Sequence, residues 1–221
     1  MRVVVVAPHP DDEVLGCGGV MARHVERGDK VQCVVVTRGS AELYTEEAVA
    51  TVRAELRAAH AVLGVNDVRF LNFPAPQLDT IPKHVLADAI RTSLYEFEAE
   101  TVYLPHVGDI HHDHREIYHA VLVASRPHPE CPIRRLLCYE TLSETEWSPP
   151  TAGEVFTPNV FIDIEAQLRK KLDAMACYRS QLKEPPFSRS LTAIESLARL
   201  RGMTVGLHAA EAFQLVRDVA R

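Results

Sequence analysis

The sequence predicts a Rossmann-like α/β fold: a doubly wound, mostly parallel sheet with helices on both faces and a helical C-terminal tail. Two observations carry this. Continuous β-branched runs recur at residues 3–7, 31–37, 68–72 and 101–104, as strands buried on both faces of a parallel sheet require. Stretches of helical period lie between them with short connections, giving β-α-β-α-β-α-β.

Taken in order, Val14, Leu15, Val20, Met21 and Val25 recur at three-to-five spacing after the first strand and stop at Gly28. Val49, Val52, Leu56, Ala59 and Leu63 follow the second strand and stop at Gly64. After Pro82, the residues Val85, Leu86, Ala89, Ile90, Leu94 and Phe97 mark the third helix. A fourth is expected from about His114 to Ser125, then a strand at 136–140. Residues 141–158 contain four Pro or Gly and no sustained period, so they read as a long loop. One more strand is expected at 160–164. The tail is helical: Leu168, Leu172, Met175 and Leu182 share a face that ends at Pro185-Pro186, and Leu191, Ile194, Leu197 and Leu200 share the next. Without a repeat or dividing linker, residues 1–221 read as one domain.

Composition removes several classes. With 24 Lys+Arg against 30 Asp+Glu, interleaved, there is no electrostatic footprint for nucleic acid. The opening apolar run stops at Pro8 without a cleavage site, and no run approaches the roughly 18 apolar residues of a membrane span. A cytoplasmic protein with no membrane partner is expected. The five cysteines are odd in number and never form a CxxC pair, which fits reduced thiols rather than a disulfide framework or a Cys-based zinc site.

The 11 histidines are unevenly spread, five of them at positions 106, 111, 112, 114 and 119. Ala7-Pro8-His9-Pro10-Asp11-Asp12-Glu13 directly follows the first strand, and the segment from His106 to His114 directly follows the fourth. In the common strand order 3-2-1-4-5, strands 1 and 4 are neighbours whose helices lie on opposite faces, so a crevice opens between these two loops. Imidazoles and carboxylates meeting there suit a divalent metal such as zinc, with a position open for water. His24, His60, His84, His119, His128 and His208 read as ordinary satisfied or solvated side chains. Glu13 reads at minimum as charge complementing the helix dipole.

PHPDDE at 8–13, paired with His111-His112-Asp113-His114, resembles the LmbE-like or PIG-L-type zinc de-N-acetylases, which remove acetyl groups from 2-acetamido sugars. The likeness extends to LGCGG at 15–19, TRGS at 37–40, RAELRAAHAVLGV at 53–65, YRSQL at 178–182, RS at 189–190, RG at 201–202 and AEAF at 210–213, so it spans essentially the whole chain. Carried over by position, it implies His9, Asp12 and His114 as ligands of Zn2+, or of Fe2+ or another divalent metal. It implies Asp11 as general base, His111 as oxyanion stabiliser or acid, and Asp113 as the carboxylate that orients His111 and keeps it charged. It also implies an amino-sugar substrate of N-acetylglucosamine type, cleaved to acetate and free amine, and a homo-oligomer.

His112 stands where the family often has Pro and leaves a register ambiguity; the family register is kept, with His112 partly exposed. Asp109 fits either a hydrogen bond to a ligand imidazole or, more plainly, a solvated loop carboxylate. Arg38, ending the second strand, and Trp147, in the long loop, are candidate substrate contacts. Two oxidoreductase readings compete for the same crevice. One is nucleotide-binding through Gly16-Cys17-Gly18-Gly19, although Met21 replaces the third glycine and no acid closes the second strand. The other is a non-haem iron enzyme using the two-histidine, one-carboxylate set.

Overall fold

A computed structural model of the chain describes residues 1–151 and 153–220. Strands β1 (Arg2–Ala7), β2 (Lys30–Gly39), β3 (Asp67–Ala75), β4 (Thr101–Pro105) and β5 (Arg135–Tyr139) are parallel. Between them run helices α1 (Asp12–Glu26), α2 (Glu46–Leu63), α3 (Lys83–Glu96) and α4 (His112–Ala124). Then come β6 (Val160–Asp163), α5 (Leu168–Cys177), α6 (Leu191–Met203) and β7 (Ala210–Asp218). The sheet order is β3-β2-β1-β4-β5-β7-β6, with β7 antiparallel to both its neighbours. Among the described residues, no helix is long and apolar enough to cross a membrane.

The β-branched runs make this sheet because both its faces are covered. Along β1, Val3, Val5 and Ala7 pack into one core with residues of α1, α2, α5 and α6, while Val4 and Val6 pack into the other with α3 and α4. The period of two therefore serves two apolar layers at once. Helices α1 and α4 lie on opposite faces, so the order reverses between β1 and β4 and their C-terminal ends flank the crevice.

Local signals set the helix ends. The Thr45 hydroxyl accepts from the Ala48 amide at the start of α2, and the Ser190 hydroxyl accepts from Ala193 at the start of α6. Gly64 closes α2 at φ 79°, a conformation that glycine adopts freely. Helix α4 begins two residues before the expected His114, because the His111 imidazole takes the cap position.

The tail differs from a purely helical one. Residues 210–218 form β7, inserted between β5 and β6. Its opening Ala-Glu-Ala has little strand propensity; pairing on both edges, rather than side-chain preference, makes it a strand. Glu211 on β7 forms a buried ion pair with Lys171 of α5 at 2.6 Å. The Glu211 carboxylate accepts from the Gly19 and Val20 amides, at 2.9 and 2.7 Å, while the Lys171 ammonium donates to the Leu15 carbonyl at 2.7 Å. The pair thus grips the backbone of α1 in mid-helix.

The glycines of α1 lie inside the helix rather than in the turn that a dinucleotide pyrophosphate would use. Their function is close packing: a Cβ on Gly16 would sit 2.3 Å from the buried Tyr139 ring, and one on Gly19 would sit 2.7 Å from Ile164. Gly16→Ala is therefore expected to cost about 1–3 kcal/mol through overpacking. A thermal melt checks it, with Tm lowered by about 2–12 °C.

Candidate active site

The β1–α1 turn, which carries the first cluster of candidate side chains, is tied to β2 through its backbone. The Pro8 carbonyl accepts both the backbone amide and the hydroxyl of Thr37 on β2, at 3.1 and 2.7 Å. Asp11 then takes φ 109°, outside the range that L-residues favour. Such backbone costs about 1–3 kcal/mol and persists only where surrounding contacts impose it. Its amide donates to the Glu13 carboxylate at 3.1 Å, and its carbonyl accepts from Val14 and Leu15 to start α1.

The two motifs meet at the crevice. Asp12 Oδ2 lies 3.1 Å from His9 Nδ1 and 3.3 Å from His114 Nε2. One donor atom from each of these three residues falls within a 4.8 Å group, as does a second group of His9, His111 and Asp113. His114 is fully buried; its Nδ1 contacts Asp109 Oδ2 at 2.8 Å, and Asp109 Oδ1 accepts from the Thr145 hydroxyl at 2.6 Å. Asp109 is thus a buried partner of an imidazole and not a solvated loop carboxylate. The other ring atom, His114 Nε2, is buried, and its 3.3 Å contact with Asp12 Oδ2 lacks hydrogen-bond geometry. A buried polar atom without a partner is costly, and one aimed at a carboxylate and a second imidazole fits a cation that would complete it.

Charge is sharply divided here. Burial disfavours the ionised Asp11, the charge of Asp12 adds to this, and Arg189 opposes it; the net effect lifts the Asp11 pKa to about 8. Asp12 goes the other way: burial resists ionisation, but His114 and His9 hold it well below the carboxylate range. Burial works against charge on His9, yet its contacts with Asp113 and Asp12 prevail and raise it to about 9. His114 is likewise raised, with Asp12 overcoming burial. His111 falls to about 4, through burial first and then the neighbouring imidazoles His9 and His114.

His111 Nδ1 accepts from the Asp113 amide at 3.1 Å, a cap bond that leaves Nε2 to carry the proton. The Asp113 carboxylate does not orient His111. It contacts His9 Nε2 at 3.0 Å through one oxygen and accepts the Leu78 amide at 3.0 Å through the other. Two positions into a helix, it is the Asp113 backbone amide that faces the cap residue. His112 is exposed, as the family register requires.

The site opens into a cleft of about 490 Å³. Its polar floor includes His9, Asp11, Asp12, His111, Glu144 and Arg189, and one wall is built from Tyr44, Ala48, Val49, Val52, Ala75 and Pro76. Arg189 donates to Asp11 Oδ2 at 3.0 Å and to the Ser143 hydroxyl at 2.7 and 2.9 Å, and lies 3.5 Å from Glu144. Burial lifts the Glu144 carboxyl to about 7 against the pull of His114. Two expected substrate contacts lie elsewhere. Arg38 pairs with Glu46, and half-exposed Trp147 packs edge-on to Phe187 at 5.6 Å; neither lines the cleft. The half-buried Arg189, Glu144 and Thr145 have no role assigned from sequence. The only signal was the RS pair at 189–190 among the family-like segments.

Fold and site together define an α/β protein with a candidate cation centre at its topological switch point, flanked by an extra buried acid. The chain belongs to the PIG-L (LmbE-like) family, whose description, GlcNAc-PI de-N-acetylase, matches residues 4–125. It is 30% identical to the uncharacterized deacetylase YaiS of Escherichia coli over 80% of this chain and 90% of that protein. It is 28% identical to a probable N-acetyl-alpha-D-glucosaminyl L-malate deacetylase 2 of Bacillus cereus, over 81% and 83%. The fold is shared with N,N'-diacetylchitobiose deacetylase of Pyrococcus horikoshii, at TM-score 0.78 and 22% identity over 98% of this chain and 84% of that one. It is also shared with GalB, a 4-carboxy-2-hydroxymuconate hydratase of Pseudomonas putida, at TM-score 0.77 and 22% identity over 100% and 98%. One fold thus serves deacetylation and hydration, so the fold alone does not fix the reaction.

Proposed function

We propose that this chain, acting as one catalytic unit, hydrolyses the acetamide of an N-acetylated amino sugar to acetate and the free amine. The observation that carries this is the orphaned His114 Nε2 facing Asp12 and His9 beside a separate buried acid, Asp11. Family membership and the amino-sugar deacetylases among its relatives support the substrate class. His9, Asp12 and His114 would hold a divalent cation, zinc by the chemistry of two imidazoles and one carboxylate. When bound, it supplies Lewis acidity toward the amide carbonyl and acidifies water.

The remaining work belongs to the chain. Asp11, with its pKa raised to about 8, is a stronger proton acceptor than an ordinary carboxylate and takes the proton of the attacking water. Arg189 fixes one of its oxygens, which orients the other. His111 Nε2–H donates to the oxyanion that forms as the carbonyl carbon becomes tetrahedral. Burial and the neighbouring imidazoles, which lower its pKa to about 4, favour the neutral ring for this donation, whereas the family resemblance implies a protonated one. Asp11 then returns its proton to the leaving amine. A released-acetate assay over N-acetylglucosamine derivatives in nucleotide, disaccharide and aminocyclitol forms tests the reading. Chelator-sensitive acetate from at least one is expected; no acetate from any would overturn it.

Cation uptake should depend on pH in a defined direction. Below about pH 9 the cation-free site carries the His9 proton, which binding must displace, and the raised His114 adds to this. Apparent zinc affinity is therefore expected to fall at least about tenfold from pH 8 to pH 7. Titrations at several pH values check this.

A further inference from the structure

Glu13 is the acid of the first motif that the reaction leaves unused, and it is fully buried. A charge complementing the helix dipole would sit at the surface; this one faces inward and takes three hydrogen bonds. Its Oε2 accepts the Asp11 amide at 3.1 Å, and its Oε1 accepts the Tyr178 hydroxyl and lies 3.2 Å from His60 Nε2. Both donor side chains are themselves buried, and the His60 Nδ1 has no partner, so the ring's one bond is to Glu13. Glu13, Cys33 and His60 also have the spacing of a metal group. Both Glu13 oxygens are already accepting, however, so the cluster works as a hydrogen-bonded clamp.

What the clamp holds is the strained residue. The Asp11 amide donates to Glu13 at 3.1 Å, while its carbonyl is held by the Val14 and Leu15 amides, so Glu13 fixes the N-terminal side of the residue with φ 109°. The second end of the clamp, Tyr178, opens the segment whose Ser180 and Gln181 line the cleft. Ser180 is pinned in turn to Glu55 of α2 through its amide, at 2.9 Å, and its hydroxyl, at 2.6 Å. Glu13 therefore joins the base to the substrate-facing wall through two hydrogen bonds.

We propose that Glu13 is a positioning residue: through its bonds to the Asp11 amide and to Tyr178 it holds the base in register with the cleft wall. The inference rests on Asp11 acting as the base. Glu13→Gln keeps the shape but turns an amide NH2 toward groups that donate. It is expected to lower kcat about tenfold or more, with KM within about threefold and cation content unchanged. Tyr178→Phe removes one bond and keeps the ring; it should show the same pattern at smaller size and carries the test if Glu13→Gln fails to fold. The discriminating measurement is a double-mutant cycle. In an Asp11→Asn background, Glu13→Gln should lower turnover by less than about twofold, since its effect passes through a base already lost. Wild-type kcat in Glu13→Gln, or the same loss in both backgrounds, overturns the proposal. Amide hydrogen exchange separates this from failure of the acetamide reading. The Asp11 amide should exchange faster in Glu13→Gln whether or not any acetamide is cleaved, and unchanged protection there also overturns it.

Discussion

Asp11→Asn is expected to lower kcat by about 10²-fold or more while cation content and melting behaviour stay close to wild type. Asparagine keeps the oxygen that accepts from Arg189, so the guanidinium retains its partner. It also tolerates positive φ better than most residues, so the strained turn should survive. It cannot take a proton. Asp11 is not among the atoms of the candidate cation group, which is why metal analysis should read the same for both proteins. Steady-state kinetics at saturating substrate, with metal content measured on the same sample, checks both halves. Unchanged turnover would remove Asp11 from the mechanism.

His114→Ala is expected to have the other large effect, abolishing both cation retention and turnover. His114 joins two acids: Nε2 faces Asp12 and Nδ1 contacts the fully buried Asp109. Its removal strands Asp109 without a charged partner, and breaking a buried pair in this way costs about 3–5 kcal/mol. Asp109→Asn is the gentler companion, because an amide oxygen can still accept from the imidazole. Loss of the carboxylate should weaken cation affinity about 10–100-fold, as for other residues behind a metal-bound histidine. Competition against a chelator measures both. Full cation content in His114→Ala would show that the donor set is wrong.

The parallel half of the sheet is legible in sequence because burial on both faces forces continuous β-branched runs. The rest follows less local rules. Strand β7 opens Ala-Glu-Ala and becomes a strand through its two partners, neither adjacent in sequence. The site divides the same way. The two clusters of imidazoles and carboxylates announce themselves by density and by their place at strand ends, while the choice of His9, Asp12 and His114 within them is what the family resemblance implies. Arg189 reaches Asp11 across 178 residues, and Thr145 reaches Asp109 across 36, so no local pattern could pair them. His60, read as an ordinary satisfied or solvated histidine, has Nε2 against Glu13 and a buried Nδ1 without a partner, a pairing across 47 residues that only the fold reveals. Arg38, expected from its place at the end of the second strand, pairs with Glu46, and Trp147, expected from its place in the long loop, packs on Phe187.

The grip of the Lys171–Glu211 pair on α1 bears on how the molecule comes into being. Helix α1 carries Asp12 and Glu13 and is made first, yet the carboxylate that clasps it arrives on the last strand. Residues 4–125 contain every atom of the candidate cation centre but not Tyr178, Arg189, Thr145 or Glu211. As the chain leaves the ribosome, β1 to β4 emerge before the strands that complete the sheet and before the residues that contact Asp11 from the C-terminal half. Such late, sequence-distant contacts slow folding. A chain ended at residue 125 would keep His9, Asp12 and His114 but lack the contacts that Arg189, Tyr178 and Thr145 make with Asp11, Glu13 and Asp109.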